Sequence, residues 1–194
     1  MTVQTRSADG LDADPEPAAE TPLMSPDSSY QQWQTQNGHQ LEHVIHDARW
    51  GDILSSELSQ LCEKLVDALS DRLDKPVLNI SVCWTDDHEM SQHNSQFRDK
   101  TGPTNILSFP SHDMPEIGDL VIGFETVMRE AEQMGISAHH HIAHLLVHGI
   151  LHLLGYDHID DTDANEMENL ETELLVANGI ANPYDNPNTG EFLS

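Results

Sequence analysis

The run HLLVHGILHLLGYDH, residues 144–158, sets His144, His148 and His152 one helical turn apart and ends on His158. Residues four apart on an α-helix lie about 40° apart around it and about 6 Å along it. Two imidazoles so placed can meet at one zinc ion, with nitrogens about 2.0–2.1 Å from it. His140 continues the same stripe, so spacing alone does not choose the ligating pair. Gly155 chooses it. Three residues past His152, a glycine can take the left-handed conformation that ends a helix and turns the chain back. His158 then swings to the ion held by His148 and His152. The pattern is H-x3-H-x2-G-x2-H, with one Zn2+ per chain on three neutral nitrogens. Three protein ligands and an open fourth position mark catalytic rather than structural zinc. Between its histidines the segment is apolar (Leu145, Leu146, Val147, Ile150, Leu151), so the row is buried and metal binding accounts for it. His144 and Asp157 are expected behind the ligands, orienting them. His139, His140 and His141 belong to the surface or to that supporting layer.

In zinc proteases of the H-E-x-x-H type, the residue after the first histidine is the glutamate that acts as general base. Here that position is Gly149. The chain keeps the three-histidine arrangement of the metzincin proteases without the carboxylate that activates water for peptide cleavage.

A helix must carry this row, and the rest of the chain must hold the helix. LEHVIHD (41–47) reads as a first strand, and Leu54, Leu58, Leu61, Leu65, Leu69 and Leu73 form one apolar face of a helix from about Asp52 to Leu73. KPVLNISVCWT (75–85) is β-rich and reads as a strand buried on both faces. Residues 86–98 have helical spacing of Met90, Asn94 and Phe97; DKTGPTN (99–105) is loop; ILSFP and GDLVIG (118–123) are short strands. FETVMREAEQMG (124–135) is a helix closed by Gly135, Ser137 caps the histidine helix, and an acidic helix spans about Asp163 to Ala177. The expected fold is α+β: a small mixed sheet of about four strands packed by about five helices, with a metzincin-like zinc helix.

Composition sets the limits. The 194 residues suit one domain with a tail, read as an acidic disordered leader over 1–38, a folded domain over 39–180 and a flexible end over 181–194. Tyr30 and Trp33 are expected to be solvated within that leader. No apolar run reaches the roughly 20 residues of a membrane helix, and the first residues lack a secretion signal. Two cysteines, Cys62 and Cys83, are too few for a disulfide framework and fit a reducing, cytoplasmic setting. Thirty-four acids against eight bases give a net charge of −26, which repels polyanions and weighs against a broad nucleic-acid footprint.

With these residues assembled, the chain resembles the YbeY endoribonuclease family. HGILHLLGYDH (148–158) matches the family's H-G-x-L-H-L-x-G-Y-D-H motif throughout. FRDKTGPTNILSFP (97–110) resembles a second block, IGDLVIG (117–123) a third, and MENLE (167–171) fits as well. The likeness runs from about residue 40 to 180. It implies a single-strand-specific, metal-dependent endoribonuclease of ribosomal RNA maturation, notably at the 3′ end of the small-subunit RNA, and of ribosome quality control. It also implies His148, His152 and His158 as zinc ligands and Arg98 as the functional arginine. Expected partners are single-stranded RNA and the small ribosomal subunit or its associated proteins, with neither DNA nor membrane. Two departures stand out: Thr104, Asn105 and Ile106 replace a frequent T-D-V, and the acidity contrasts with the basic cleft expected for RNA.

Zinc on three imidazoles can acidify a coordinated water to a pKa of about 7 or polarise a phosphoryl oxygen. Arg98 and His148 are therefore the expected catalytic residues. The forked, permanently charged guanidinium suits the extra negative charge of a phosphodiester transition state, and Lys100 is placed to hold the strand. The bland alternative for Arg98 is an ion pair at a helix end. Two rival functions are a zinc protease-like hydrolase and a non-catalytic metal-binding module that docks on the ribosome.

Overall fold

A computed structural model describes residues 29–111, 115–158 and 160–185. The acidic leader up to residue 28 and the last nine residues lie outside the described residues. Five strands form one mixed sheet in the order β1-β2-β3-β5-β4. They are β1 (Ser29–Gln34), β2 (Gln40–Ile45), β3 (Asn79–Thr85), β4 (Ile106–Pro110) and β5 (Glu116–Gly123). The central pairs β2–β3 and β3–β5 are parallel, whereas the edge strands β1 and β4 run antiparallel to their neighbours. Among the described residues six helices accompany the sheet: α1 (Trp50–Ile53), α2 (Ser56–Leu73), α3 (Asp87–Arg98), α4 (Phe124–Met134), α5 (Ala138–Leu153) and α6 (Asp161–Ala177). A mixed α/β architecture was legible, with one strand and one helix more than expected.

Both additions have local causes. β1 falls within the stretch read as disordered leader. Its sequence SYQQWQ shows little apolar alternation because an edge strand needs only one anchor, and Trp33 supplies it by packing against the main core and the ring of His43, 3.7 Å between centroids. Trp33 is thus not simply solvated, while Tyr30 is exposed. The expected 52–73 helix divides because Ser55 takes an extended conformation and its side chain accepts the Leu58 N–H, starting α2 afresh.

Of the stretch read as a flexible end, only residues 181–185 are described. Pro183–Asp185 form a short 3-10 turn, and the Tyr184 hydroxyl donates to Glu171 on α6.

The main core lies between one sheet face and α2, α5 and α6, built from residues such as Ile80, Val82 and Trp84 of β3 against Leu65, Leu69, Leu146 and Ile150. On the opposite sheet face, α3 covers a small second cluster of Met90, Leu107 and Val121. β3 therefore alternates, with Ser81 and Cys83 only partly buried, rather than being sealed on both faces. Helix α5 is the centrepiece: every residue from His141 to Leu151 is buried. That explains its apolar character between histidines, since a helix packed on all sides has no solvent stripe to keep polar.

Candidate metal centre and its cleft

Helix α5 ends as its sequence predicts. Gly155 has φ +92, the left-handed region, and the Tyr156 N–H returns to the Leu151 carbonyl at 3.0 Å. The reversal brings His158 beside the helix, its ring centroid 5.7 Å from that of His148 and 5.1 Å from that of His152. One ligand atom from each of His148, His152 and His158 lies within 4.8 Å of the others. The three can hold one metal ion.

The protonation pattern tests whether they fit one. His152 Nδ1–H donates to the Tyr156 carbonyl at 3.0 Å, and His148 Nδ1–H donates to the Glu171 carboxylate at 2.9 Å. In neutral imidazoles this leaves both Nε2 atoms as bare lone pairs. Those two Nε2 atoms face each other 3.1 Å apart. Two acceptors at that distance repel unless something positive sits between them. Nitrogens about 2.0–2.1 Å from a tetrahedral zinc would themselves lie roughly 3.3–3.4 Å apart. His152 is suited to remain neutral: burial, and then the neighbouring His148, bring its pKa down to about 4.

Glu171 orders the buried side of the site and was not singled out by the sequence. Fully buried on α6, it accepts from His148 through Oε1 and, through Oε2, from His144 at 2.9 Å and from the Tyr184 hydroxyl. Burial alone would raise its pKa, but the hydrogen bonds from His144 and His148 outweigh it and hold the carboxyl near 2. Tyr184 is pushed above the ordinary phenol range by burial and by Glu171, so it stays a donor. A signal existed: Glu171 shares the helical face of Met167, Leu170, Leu174 and Leu175, all buried, where a carboxylate needs donors.

His144 therefore reaches His148 through Glu171, and its ring also stands edge-on to that of His148, 6.4 Å between centroids. The carboxylate of Asp157 accepts the backbone N–H of His158 at 2.7 Å, fixing the turn. Among the flanking histidines, His141 is buried against Glu130 at 2.8 Å, and Glu130 also accepts from Asn105 at 3.1 Å; His140 is exposed. Asn105 thus has a structural partner deep in the α4–α5 contact.

Gly149 has a steric reason. A Cβ there would stand 2.7 Å from Ile106 Cδ1 and 2.8 Å from Leu120 Cδ2, so any side chain at this point makes those terminal methyls shift before α5 can lie as close to the sheet. The position reserved for a protease's glutamate faces β4 and β5, away from the imidazoles' meeting point.

The histidines open on a cleft of about 790 Å³ whose opposite wall comes from α3, the loop after it and β4, including Asn94, Arg98, Lys100 and Ser108. Arg98 is exposed and donates to the Ser108 carbonyl at 3.2 Å. The other described arginines are committed to acids: Arg49 to Asp47 and Glu125, Arg72 to Glu173, Arg129 to Asp87. Among the described residues no carboxylate pairs with Arg98 or Lys100, so the ion-pair alternative for Arg98 finds no partner there. The structure thus gathers Arg98, Lys100, His148, His152 and His158 around one space.

The chain is similar to known proteins over most of its length. A family model described as Endoribonuclease YbeY matches residues 44–179. An Endoribonuclease YbeY from Bartonella bacilliformis is 44% identical over 150 residues, covering 73% of this chain and 94% of that protein. One from Chelativorans sp. is 47% identical over 135 residues, covering 66% and 83%. One from Cereibacter sphaeroides is 37% identical over 166 residues, covering 74% and 98%. The match takes in the α3–β4 wall, the histidine helix and the Glu171 helix together, and the chain belongs to the YbeY endoribonuclease family.

Proposed function

We propose that this cleft is the active site of a zinc-dependent endoribonuclease specific for single-stranded RNA, acting in the cytoplasm on ribosomal RNA, at the 3′ end of the small-subunit RNA and in ribosome quality control. The observation that carries the reading is the opposition of two bare imidazole nitrogens to an arginine without an acidic partner, across one cleft. His148, His152 and His158 are the residues that hold the metal, one ion per chain. When bound, that ion supplies Lewis acidity next to the scissile phosphate. Arg98 binds the non-bridging phosphate oxygens and meets the charge that grows on them in the transition state. Lys100 neutralises a neighbouring phosphate. Glu171 and the Tyr156 carbonyl hold the tautomers of His148 and His152, and Asp157 holds the backbone of His158. Gly149 leaves no carboxylate for the protease alternative. Among the described residues no helix is long and apolar enough to cross a membrane.

The test is metal content and cleavage of a single-stranded oligoribonucleotide, measured in parallel for the wild type and His148→Ala. Zinc and cleavage should disappear together. Zinc-loaded wild type that leaves RNA intact would favour the non-catalytic ribosome-docking module instead.

A further inference from the structure

Beyond the cleft, the C-terminal turn of α3 leaves an aromatic ring in solvent. Phe97 is 54% exposed, more than any other large hydrophobic residue described. It is not among the residues packed into the small Met90–Leu107–Val121 cluster beneath α3. Yet its ring is held in place. His93, one turn earlier, lies nearly parallel at 17° with 6.1 Å between centroids, and Phe109 of β4 meets it edge-on at 5.1 Å and 73°. An exposed ring already fixed in orientation loses little freedom when something stacks on it.

Its neighbours say what that something is. Asn94 stands one turn before Phe97, Arg98 follows it directly, and Lys100 lies just beyond; all three line the cleft. Phe97 itself, like His93 and Phe109, is outside that lining, so the ring stands beside the wall proposed to grip phosphates, next in the chain to Arg98. Charge points the same way. With a net charge of −26, the chain cannot gather RNA by long-range attraction, and the cleft wall has two cations with no acidic partner among the described residues. Such a site needs affinity of another kind. Stacking of bases on aromatic rings supplies it regardless of sequence.

We infer that Phe97, steadied by His93 and Phe109, is a stacking platform for an unpaired base of the single-stranded RNA that runs from the cleft over the end of α3. This rests on the ribonuclease reading above.

The test uses the full zinc-loaded chain, a single-stranded oligoribonucleotide of about twelve nucleotides, and the variants Phe97→Ala, Phe97→Leu and Phe97→Trp. Loss of one stacked base costs roughly 5- to 150-fold in affinity. Phe97→Ala should raise KM by about tenfold, with the loss in KM rather than kcat, and unchanged zinc content and unfolding midpoint. Phe97→Leu should fail like alanine, because it restores bulk without a π face. Phe97→Trp should restore KM, and its added fluorescence should be quenched by the oligonucleotide. The salt dependence of binding should be shallow and equal in wild type and Phe97→Ala, because stacking releases no counterions. Wild-type KM in Phe97→Ala, full rescue by leucine, or a tryptophan blind to RNA overturns the platform while leaving the nuclease standing. A wild type that neither binds nor cuts RNA overturns the ribonuclease reading and the platform with it.

Discussion

His148 Nδ1 and Glu171 Oε1 lie 2.9 Å apart across the α5–α6 contact, and this one hydrogen bond joins the candidate ligand set to the buried core. The same carboxylate takes His144 and Tyr184, so residues from α5, α6 and the chain end meet on it. A carboxylate behind a ligating histidine fixes the ring's tautomer and raises its basicity. On the proposed reading, the packing of α6 is thereby coupled to how well the cleft would hold an ion.

Glu171→Gln keeps the shape and removes the charge. It should weaken metal affinity by about 10–100-fold, read by competition against a chelator of known strength. Its amide can donate as well as accept, so it no longer dictates which nitrogen of His148 is bare. Unchanged affinity in a folded variant would remove Glu171 from the metal site.

Gly149 sits where α5 touches β4 and β5, and Gly149→Ala brings a methyl carbon within 2.7 Å of Ile106 Cδ1. Overpacking a dense core costs typically about 1–3 kcal/mol, while alanine's helix propensity returns about 1 kcal/mol. A net loss of up to about 2 kcal/mol is expected in urea unfolding, by the same balance. Gly149→Glu should fail to fold stably and gain no activity on casein. Proteolysis by a folded Gly149→Glu protein would revive the metalloprotease reading.

Much of this site is visible in the chain because its parts are local. His148, His152, Gly155 and His158 lie within eleven residues, where helical spacing and one left-handed glycine fix their relation. Ser137 and Gly135 likewise mark their helix ends, as the side chain of Ser137 accepting from His140 and the positive φ of Gly135 bear out. What stayed hidden depends on distant pairing. Glu171 becomes informative only when α6 packs on α5, and β1 only when Trp33 finds His43. The break at Ser55 was missed because the leucine stripe runs through it; periodicity reports a buried face, not an unbroken helix.

Arg98 makes one modest bond, to the Ser108 carbonyl, from an exposed position. Arg98→Ala should therefore leave stability within about 0.5 kcal/mol and metal content unchanged. RNA cleavage should fall by about 10²–10³, the usual loss for one transition-state donor. Arg98→Lys should recover only part, because an ammonium cannot engage two phosphate oxygens as a fork. Zinc loss in Arg98→Ala would make the arginine a structural residue.

His43, outside the candidate ligand set, should contribute to the acid limb of stability. Burial between Trp33 and Trp84 lowers its pKa to about 3, and its Nδ1 accepts from Trp84 Nε1 at 2.8 Å, so it is neutral when folded. Unfolded, a histidine titrates near 6.5. Between about pH 6.5 and 3 the unfolded chain binds the extra proton, so this contribution is full above 6.5 and is lost as pH falls. From pH 7 to 4.5 the loss from one such group is about 2–3 kcal/mol. His43→Leu strands the Trp84 N–H and should lower stability at pH 7, but it removes this slope. His152 also titrates low, to about 4, and is common to both proteins, so the difference between their curves isolates His43. Urea unfolding across that range should give a flatter profile for the variant; parallel profiles would mean that His43 does not stay neutral in the folded protein.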